Sequence, residues 1–222
     1  MFDYRFYYRR NLPHYQPERA TLFVTFRLAG SIPSHIVREF ADDHARKLAN
    51  LREQPDSDGR NQRISEEQRR AFGKWDAVLH RMDCGPRWLE DSRIADIVVK
   101  ALQHRNGKVI RLHAYCLMPN HAHIVFTPLP KLDGSMHSLS SIMHSLKLRT
   151  AREGNRVLGL NGEFWHHENY DHVVRDEAEY GRIMEYVVNN PVKAGLVQEW
   201  QDWPWNYIDA ELALASIVPQ VA

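Results

Sequence analysis

Two short strands joined by a tight turn constrain the fold of this chain more than any other part of its sequence. Residues 121–126 alternate with a period of about two and are rich in β-branched and aromatic side chains, a pattern that predicts a strand. Pro119 and Asn120 come just before them and predict a turn. Residues 108–118 predict the partner strand, so the whole stretch predicts an antiparallel hairpin on which a sheet can be built.

Two histidines stand at the start of the second strand of this hairpin. Residues i and i+2 of a strand point to the same face, so His121 and His123 would lie side by side, with Ala122 on the opposite face. Two imidazoles at this spacing suit a divalent metal. The chain contains 13 histidines, however, and on spacing alone a chance pair is the simpler interpretation.

The other periodic segments predict one antiparallel sheet with helices. A β-branched and aromatic segment at 21–28 predicts a further strand, and 170–175 predicts a short one. Helical patterns with capping residues occur at about 34–51, 65–80, 92–104, 138–152 and 177–190. Pro191 is expected to stop the last helix. Helices segregated on one face of an antiparallel sheet give an α+β fold of the ferredoxin-like type.

The length of the chain, 222 residues, suits a single domain spanning 1–222. A polar stretch beginning at residue 54, with the helix that follows it, is interpreted as a helical insertion at about 54–80. The C-terminal tail, at about 198–222, holds three tryptophans and is expected to pack back onto the domain.

Charge alone gives no case for a nucleic-acid partner, because the formal net charge is only +1. A neutral total can hide a basic face, however, and basic residues cluster in two places. The candidate phosphate contacts are Lys147, Arg149 and Arg152 on one helix and Arg5, Arg9 and Arg10 in an aromatic N-terminal arm. A solvated helix face and aromatic residues packed on the edge of the domain are the alternative interpretations.

The cysteine content and hydropathy bound the compartment. Cys84 and Cys116 are too few for a disulfide framework or a zinc knuckle. No apolar run approaches the roughly 20 residues that cross a bilayer, and no signal peptide is evident. The expectation is a cytoplasmic, nucleoid-associated protein with no membrane partner.

The last predicted helix carries a second pair of candidate residues. Tyr186 and Asn190 are four residues apart, a spacing that places both on one helix face. Each has a structural alternative, because Tyr186 lies among apolar residues that form a core stripe and Asn190 is a residue type common at helix C-termini.

Two separated motifs together carry a family resemblance. They are Met-Pro-Asn-His-Ala-His-Ile-Val at 118–125 and Tyr-Val-Val-Asn-Asn-Pro-Val-Lys-Ala-Gly-Leu-Val at 186–197. In this order they resemble the single-tyrosine HUH transposases, and more closely the REP-associated tyrosine transposases, which act on repetitive extragenic palindromes. Further matching segments lie at 88–95, 146–147, 162–165, 170–176 and 203–205. The resemblance covers roughly 20–30 and 85–208 and leaves most of 54–80 unexplained.

The resemblance implies a fold, a chemistry and a substrate. It implies an HUH nuclease fold in which His121 and His123 bind Mg²⁺ or Mn²⁺ and Asn190 supplies a third, oxygen ligand. Tyr186 would be the nucleophile that cleaves single-stranded or hairpin DNA and forms a 5′-phosphotyrosine with a free 3′-OH. Because that bond conserves the energy of the phosphodiester, the strand can be rejoined without ATP.

Alternatives to this assignment remain open at the level of the sequence. One is a protein that binds DNA hairpins, in a regulatory role, without cutting them. A zinc hydrolase that combines His121 with His166, His167 and His172 is another, although its supporting carboxylate motif is missing. Both a monomer and a homodimer agree with the resemblance.

Overall fold

The computed structural model describes residues 7–9, 13–15, 17–53 and 59–210. Two of the candidate phosphate contacts, Arg5 and Arg10, lie outside these residues. The elements in chain order are β1 (Tyr7–Arg9), β2 (Pro13–Tyr15), β3 (Leu22–Leu28), α1 (Ser34–Glu53), α2 (Arg60–Arg81), a 3-10 turn (Trp88–Glu90), α3 (Ser92–Arg105), β4 (Ile110–Met118), β5 (His121–Pro128), α4 (Leu139–Leu158), β6 (Trp165–Val173), α5 (Glu177–Val188), α6 (Asn190–Lys193), a second 3-10 turn (Trp200–Asp202) and β7 (Asn206–Ile208).

A five-stranded antiparallel sheet in the order β6-β3-β5-β4-β7 forms the centre of the protein. The predicted hairpin is confirmed, since β4 pairs with β5 and Met118 lies opposite His121 across the turn. The tail also packs back as expected, because β7 pairs with β4 and the Trp203 indole donates to the carbonyl of Leu117 at 2.8 Å. Strand β1 pairs with β2 in a separate two-stranded ribbon.

Alternation along β3 and β5 divides the core between the two faces of the sheet. Leu22, Val24 and Phe26 are buried with residues of α3 and α4, whereas Phe23 is buried with Met184 and Val187 of α5. The α+β class is confirmed. The expectation of helices on one face holds for α3 and α4, whereas α5 lies on the other face. The odd-numbered residues of β3 and β5 are also apolar or buried, so this second face of the sheet is covered as well.

Helix boundaries depart from the sequence pattern in three places. Helix α2 begins at Arg60, not at Ser65 as predicted. The prediction missed its first turn because the residues there are polar and show no apolar period. Helix α4 continues six residues beyond the predicted end at Arg152. The helix predicted at about 177–190 ends at Val188, before Pro191, and Pro191 lies in the first turn of the separate helix α6, where its missing N–H costs no hydrogen bond.

Helices α1 and α2 form a hairpin, which we call the helical hairpin, that packs against the α5 face of the sheet. Within it Phe40 meets Trp75 edge to face, with ring centroids 5.2 Å apart. Phe72 of α2 stacks on Tyr170 of β6 at 4.2 Å. The segment predicted to be an insertion therefore lies over the sheet. None of the helices in the described ranges has the length and hydropathy needed to cross a bilayer.

A buried histidine on β4 gives a pH-dependent prediction. His113 is 7% exposed, and its ring nitrogens lie 2.9 Å from the Tyr180 hydroxyl and 3.0 Å from Thr127 Oγ1. Burial, with the positive charge of Arg111 second, lowers the pKa of His113 to about 4. A lowered folded-state pKa stabilises the fold above the unfolded value of roughly 6.5, and that contribution, at most about 3 kcal/mol, is lost as pH falls toward 4.

We therefore expect His113→Asn to flatten the pH dependence of the free energy of unfolding between these pH values. Urea unfolding at a series of pH values measures this. His104→Asn, at an exposed position on α3, is the control and should leave the pH dependence unchanged. A slope for His113→Asn equal to that of the wild type would contradict the prediction.

Candidate active site

The two histidines of β5 lie side by side on the α5 face of the sheet, with Ala122 on the opposite face. His121 and His123 are both fully buried, and their Nε2 atoms are 2.9 Å apart. Asn120 Nδ2 donates to the carbonyl of Leu79 at 3.0 Å, so its Oδ1 is the acceptor that lies 2.6 Å from His121 Nδ1. His121 therefore carries its proton on Nδ1 and presents the lone pair of Nε2. His123 Nδ1 lies 2.8 Å from Thr25 Oγ1.

The second sequence pair meets the first where α5 gives way to α6. Asn190 is fully buried, and its Nδ2 donates to the carbonyl of Tyr186 at 2.7 Å. The ring of Tyr186 lies edge-on to that of His123, with centroids 5.5 Å apart. The Tyr186 hydroxyl is buried, makes no well-formed hydrogen bond among the described residues, and has Asp76 and Asn190 as polar neighbours. The structure thus brings together the four residues that the sequence analysis singled out as catalytic or metal-binding.

Two residues of α2, which the sequence analysis did not single out, complete this cluster. Asp76 and His80 lie one turn apart, and His80 Nδ1 is 2.8 Å from the Asp76 carbonyl oxygen and 3.0 Å from Asp76 Oδ2. His80 Nε2 is 2.6 Å from Asn190 Oδ1. Ligand atoms of Asp76, His80 and His121 all lie within 4.8 Å of one another. The available signal was an aspartate and a histidine four residues apart in one helix, a spacing that places both on the same face.

The electrostatics of the cluster favour neutral imidazoles on β5. Burial, followed by the charge that a protonated His123 would carry, lowers the pKa of His121 well below its ordinary value. Burial, followed by the positive charge of His80, also lowers the pKa of His123 well below its ordinary value. Neutral imidazole is the form that binds a metal.

The remaining groups of the cluster are shifted in other directions. Burial opposes ionisation of Asp76, but the hydrogen bond and charge of His80 outweigh burial and lower the pKa of that carboxyl. Burial acts against protonation of His80, but Asp76 outweighs it and raises the pKa of that ring. Burial first, then the negative charge of Asp76, raises the pKa of Tyr186. The Lys193 ammonium lies 4.7 Å from the centroid of the Tyr186 ring and provides an opposing positive charge.

The side chains of the cluster fit a divalent cation. Imidazole nitrogens together with carboxylate and amide oxygens suit first-row divalent metals, Mn²⁺ among them. Asp76 Oδ1 is buried and, within the described part of the chain, without a hydrogen-bond partner. An unpartnered carboxylate oxygen beside neutral imidazoles is costly without a cation or proton nearby.

The candidate phosphate contacts have different surroundings. The Lys147 ammonium donates to the carbonyls of His166, His167 and Glu168 at 3.0 to 3.3 Å and so joins α4 to β6. Arg149 pairs with Glu153 at 3.1 Å, and Arg152 is exposed on α4. For Arg9 the structure describes only its place in β1. Phosphate binding by all of these residues stays a prediction.

The three histidines of the alternative hydrolase lie apart from the cluster. They occupy β6, where His172 Nε2 is 3.0 Å from Glu179 Oε1 and the rings of His166 and His167 are 4.5 Å apart. They face a cavity of about 490 Å³ between the helical hairpin and β6. Thr25 and Asp76 also line this cavity, which therefore extends from the sheet edge to the cluster.

Comparison with known proteins places the cluster in context. Residues 88–190 match the family model described as "Transposase IS200 like". A REP-associated tyrosine transposase of Escherichia coli is 27% identical over 127 residues, covering 55% of this chain and 72% of the relative. A putative REP-associated tyrosine transposase of Haemophilus influenzae is 25% identical over 113 residues, covering 48% of this chain and 63% of the relative.

A solved structure shares the fold. A REP-associated tyrosine transposase bound to a REP hairpin superposes with a TM-score of 0.50 at 18% identity, covering 99% of this chain and 89% of that one. The range matched by the family model includes His121, His123, Tyr186 and Asn190 and begins after the end of α2 at Arg81.

Proposed function

We propose that this chain, which matches an IS200-like transposase family model over residues 88–190 and is similar to REP-associated tyrosine transposases, cleaves and rejoins single strands of DNA with Tyr186 as nucleophile. The substrate is single-stranded or hairpin DNA of the palindromic-repeat class. The observation that carries the proposal is the position of the Tyr186 ring beside His123, with a buried hydroxyl.

The residues of the cluster divide the work between positioning and attack. His121, His123 and Asn190 would hold Mg²⁺ or Mn²⁺. A divalent cation bound there polarises a scissile phosphodiester and favours the phenolate form of a nearby tyrosine. Helix α5 holds Tyr186 against the histidine pair, and Lys193 stabilises negative charge near its ring.

The reaction is a transesterification that conserves the number of phosphodiester-type bonds. The Tyr186 oxygen forms a bond to phosphorus, and the bond from phosphorus to the 3′ oxygen of the preceding nucleotide breaks. The phenolic proton is released, and the leaving 3′ oxygen takes up a proton to become a hydroxyl. Attack by a 3′-OH on the phosphotyrosine reverses the step and joins strands without ATP.

A single strand suits this site better than a duplex. The cavity of about 490 Å³ at the β6 edge ends at Thr25 and Asp76, beside the cluster, and is narrow compared with a double helix. Lys147, Arg149, Arg152 and the arm residues Arg5, Arg9 and Arg10 are the proposed phosphate contacts beyond it. Phe72 and Tyr170, stacked in the wall of the cavity, offer aromatic faces to unpaired bases.

One observation favours a second function, the binding of DNA hairpins without cleavage. His121, His123 and Asn190 are fully buried, and α2 lies over them. A phosphate reaches these side chains only if the helical hairpin moves. A protein that keeps this hairpin in place would bind a DNA hairpin on its surface and leave the strand intact.

The proposed reaction is tested with labelled DNA hairpins taken from repeats of the source genome. We expect a protein–DNA adduct that survives denaturation, forms with Mn²⁺ or Mg²⁺ and is lost with a chelator. The matching blunt duplex is the control and should give no adduct. Tight binding of the hairpin with no adduct at any metal concentration would support the second function, and neither binding nor adduct would overturn both.

A further inference from the structure

We propose that helix α2 supplies two further ligands of the metal, Asp76 and His80, so that the helical hairpin is part of the metal site. This inference rests on the proposed function only in placing a divalent cation at His121 and His123. Both residues lie outside the range matched by the family model, which begins at residue 88.

When the His80 ring is neutral, its hydrogen bonds leave an acceptor facing an acceptor. A backbone carbonyl can only accept, so the contact of His80 Nδ1 with the Asp76 carbonyl at 2.8 Å places a proton on Nδ1. In the neutral ring, Nε2 then presents a lone pair 2.6 Å from Asn190 Oδ1. That Oδ1 is also an acceptor, because Asn190 Nδ2 is the donor to the Tyr186 carbonyl. Two facing lone pairs need a positive charge between or beside them.

The histidine pair of β5 presents a matching arrangement. The proton of His121 is on Nδ1, so its Nε2 lone pair points at His123 Nε2, 2.9 Å away. Neighbouring donor atoms around one cation, each about 2.1 Å from it, lie about 3 Å from one another. The separations of 2.9 Å within the β5 pair and 2.6 Å between His80 and Asn190 are close to this spacing.

Asp76 supplies the independent observation. The residue is 9% exposed, its Oδ1 makes no well-formed hydrogen bond among the residues described, and the Tyr186 hydroxyl is its polar neighbour. Asp76 Oδ1 lies 3.6 Å from His123 Nε2. A buried carboxylate oxygen without a partner is expensive unless a cation compensates it. The other oxygen of Asp76 holds His80 Nδ1 at 3.0 Å, which orients that ring as carboxylates orient metal-bound histidines.

A structural ion pair is the competing explanation. A doubly protonated His80 would donate to both Asp76 and Asn190 and would fix α2 on the sheet without any metal. The two explanations differ in whether the metal contacts α2. The test therefore measures metal binding directly in the full-length protein and needs no DNA.

The experiment measures the affinity for Mn²⁺ by isothermal titration calorimetry in the wild type, in Asp76→Asn and in His80→Gln. We expect each variant to bind Mn²⁺ at least about tenfold more weakly, as loss of a ligand requires. Glu66→Gln and His35→Gln, at exposed positions of α2 and α1, are the matched controls and should retain wild-type affinity. Wild-type affinity in both Asp76→Asn and His80→Gln, with folding verified by circular dichroism, would overturn the inference and favour the ion pair.

A second variant keeps the test decisive if Asp76→Asn folds poorly. Asp76→Cys places a thiol near the same point, and a thiolate that touches the ion is expected to give a thiolate-to-cadmium absorption band with Cd²⁺. Wild-type protein, which retains Cys84 and Cys116, is the blank. Absence of the band in folded Asp76→Cys would count against contact between α2 and the metal.

The outcomes separate this inference from the proposed function. Weakened Mn²⁺ binding in both α2 variants, together with a wild-type protein that forms no DNA adduct, would support the inference and overturn the proposed function. Normal Mn²⁺ binding in the α2 variants but loss of Mn²⁺ binding in His121→Gln, with a wild-type protein that forms the DNA adduct, would overturn the inference and support the proposed function. The metal would then depend on β5 and not on α2.

Discussion

Replacement of Tyr186 by phenylalanine is expected to reduce the covalent protein–DNA adduct by at least about a thousandfold, because it removes the proposed nucleophile. The ring should keep its place, since its contacts with Phe23 and Phe72, at centroid distances of 5.9 and 6.2 Å, do not involve the oxygen. The hydroxyl is buried beside the Asp76 carboxylate and makes no well-formed hydrogen bond in the described structure, so its removal breaks no strong hydrogen bond. We therefore expect Tm in the absence of DNA to stay the same or to rise. Quantitative denaturing gels and a thermal melt give the two readouts.

The matched control for this variant is Tyr180→Phe on the same helix. The Tyr180 hydroxyl bonds His113 and is not part of the cluster. Its loss should lower Tm slightly and leave the adduct intact. If Tyr186→Phe still formed a stable adduct while Tyr180→Phe did not, the assignment of the nucleophile would be wrong.

Gly85→Ala is expected to destabilise the protein by about 3 kcal/mol or more, the largest effect we predict from a single methyl group. Gly85 has a φ of +75°, and a Cβ there would lie 2.2 Å from the Gly30 carbonyl oxygen and 2.7 Å from Ser31 Cα. These atoms are backbone, so the chain itself must shift. The left-handed conformation alone costs an L-residue roughly 1 to 2 kcal/mol, and displacement of the backbone adds to it. Urea unfolding measures the change in the free energy of unfolding.

Gly107→Ala isolates the part of this effect that comes from the close approach. Gly107 has the same φ of +75°, but no atom lies within 4 Å of its added Cβ. We expect it to cost only the conformational penalty. Equal losses of unfolding free energy in the two variants would contradict the argument that the close approach of Gly85 to Gly30 and Ser31 adds to the cost of the substitution.

Much of the site follows from local sequence. The period of two places His121 and His123 on one face of β5, and the turn at Pro119 and Asn120 places them at a strand end. Helix starts are similarly local, since Asp91, Ser138 and Asp176 each accept a hydrogen bond from a backbone N–H two or three residues ahead. Such interactions need no information from the rest of the chain.

Local patterns were less informative where polarity or packing overrides them. The polar first turn of α2 gave no periodic signal, and its apolar stripe was interpreted as an ordinary core face. In the part of α4 beyond its predicted end, Gly154 packs closely on Phe164, a residue outside the helix, because an added Cβ would lie 2.6 Å from that ring. The sequence pattern also gave no sign that the Lys147 ammonium donates to carbonyls of β6, and its contact with phosphate stays a prediction.

The sequence by itself therefore determined the β4–β5 hairpin, the shared face of its histidines and the spacing of Tyr186 and Asn190. Only the tertiary structure decided that the α2 residues Asp76 and His80 meet these groups. The physical reason is that periodicity reports which side of an element is buried but not which element covers it. That choice depends on packing between segments distant in sequence, here the stacking of Phe72 on Tyr170 and the bond from Asn120 to the Leu79 carbonyl.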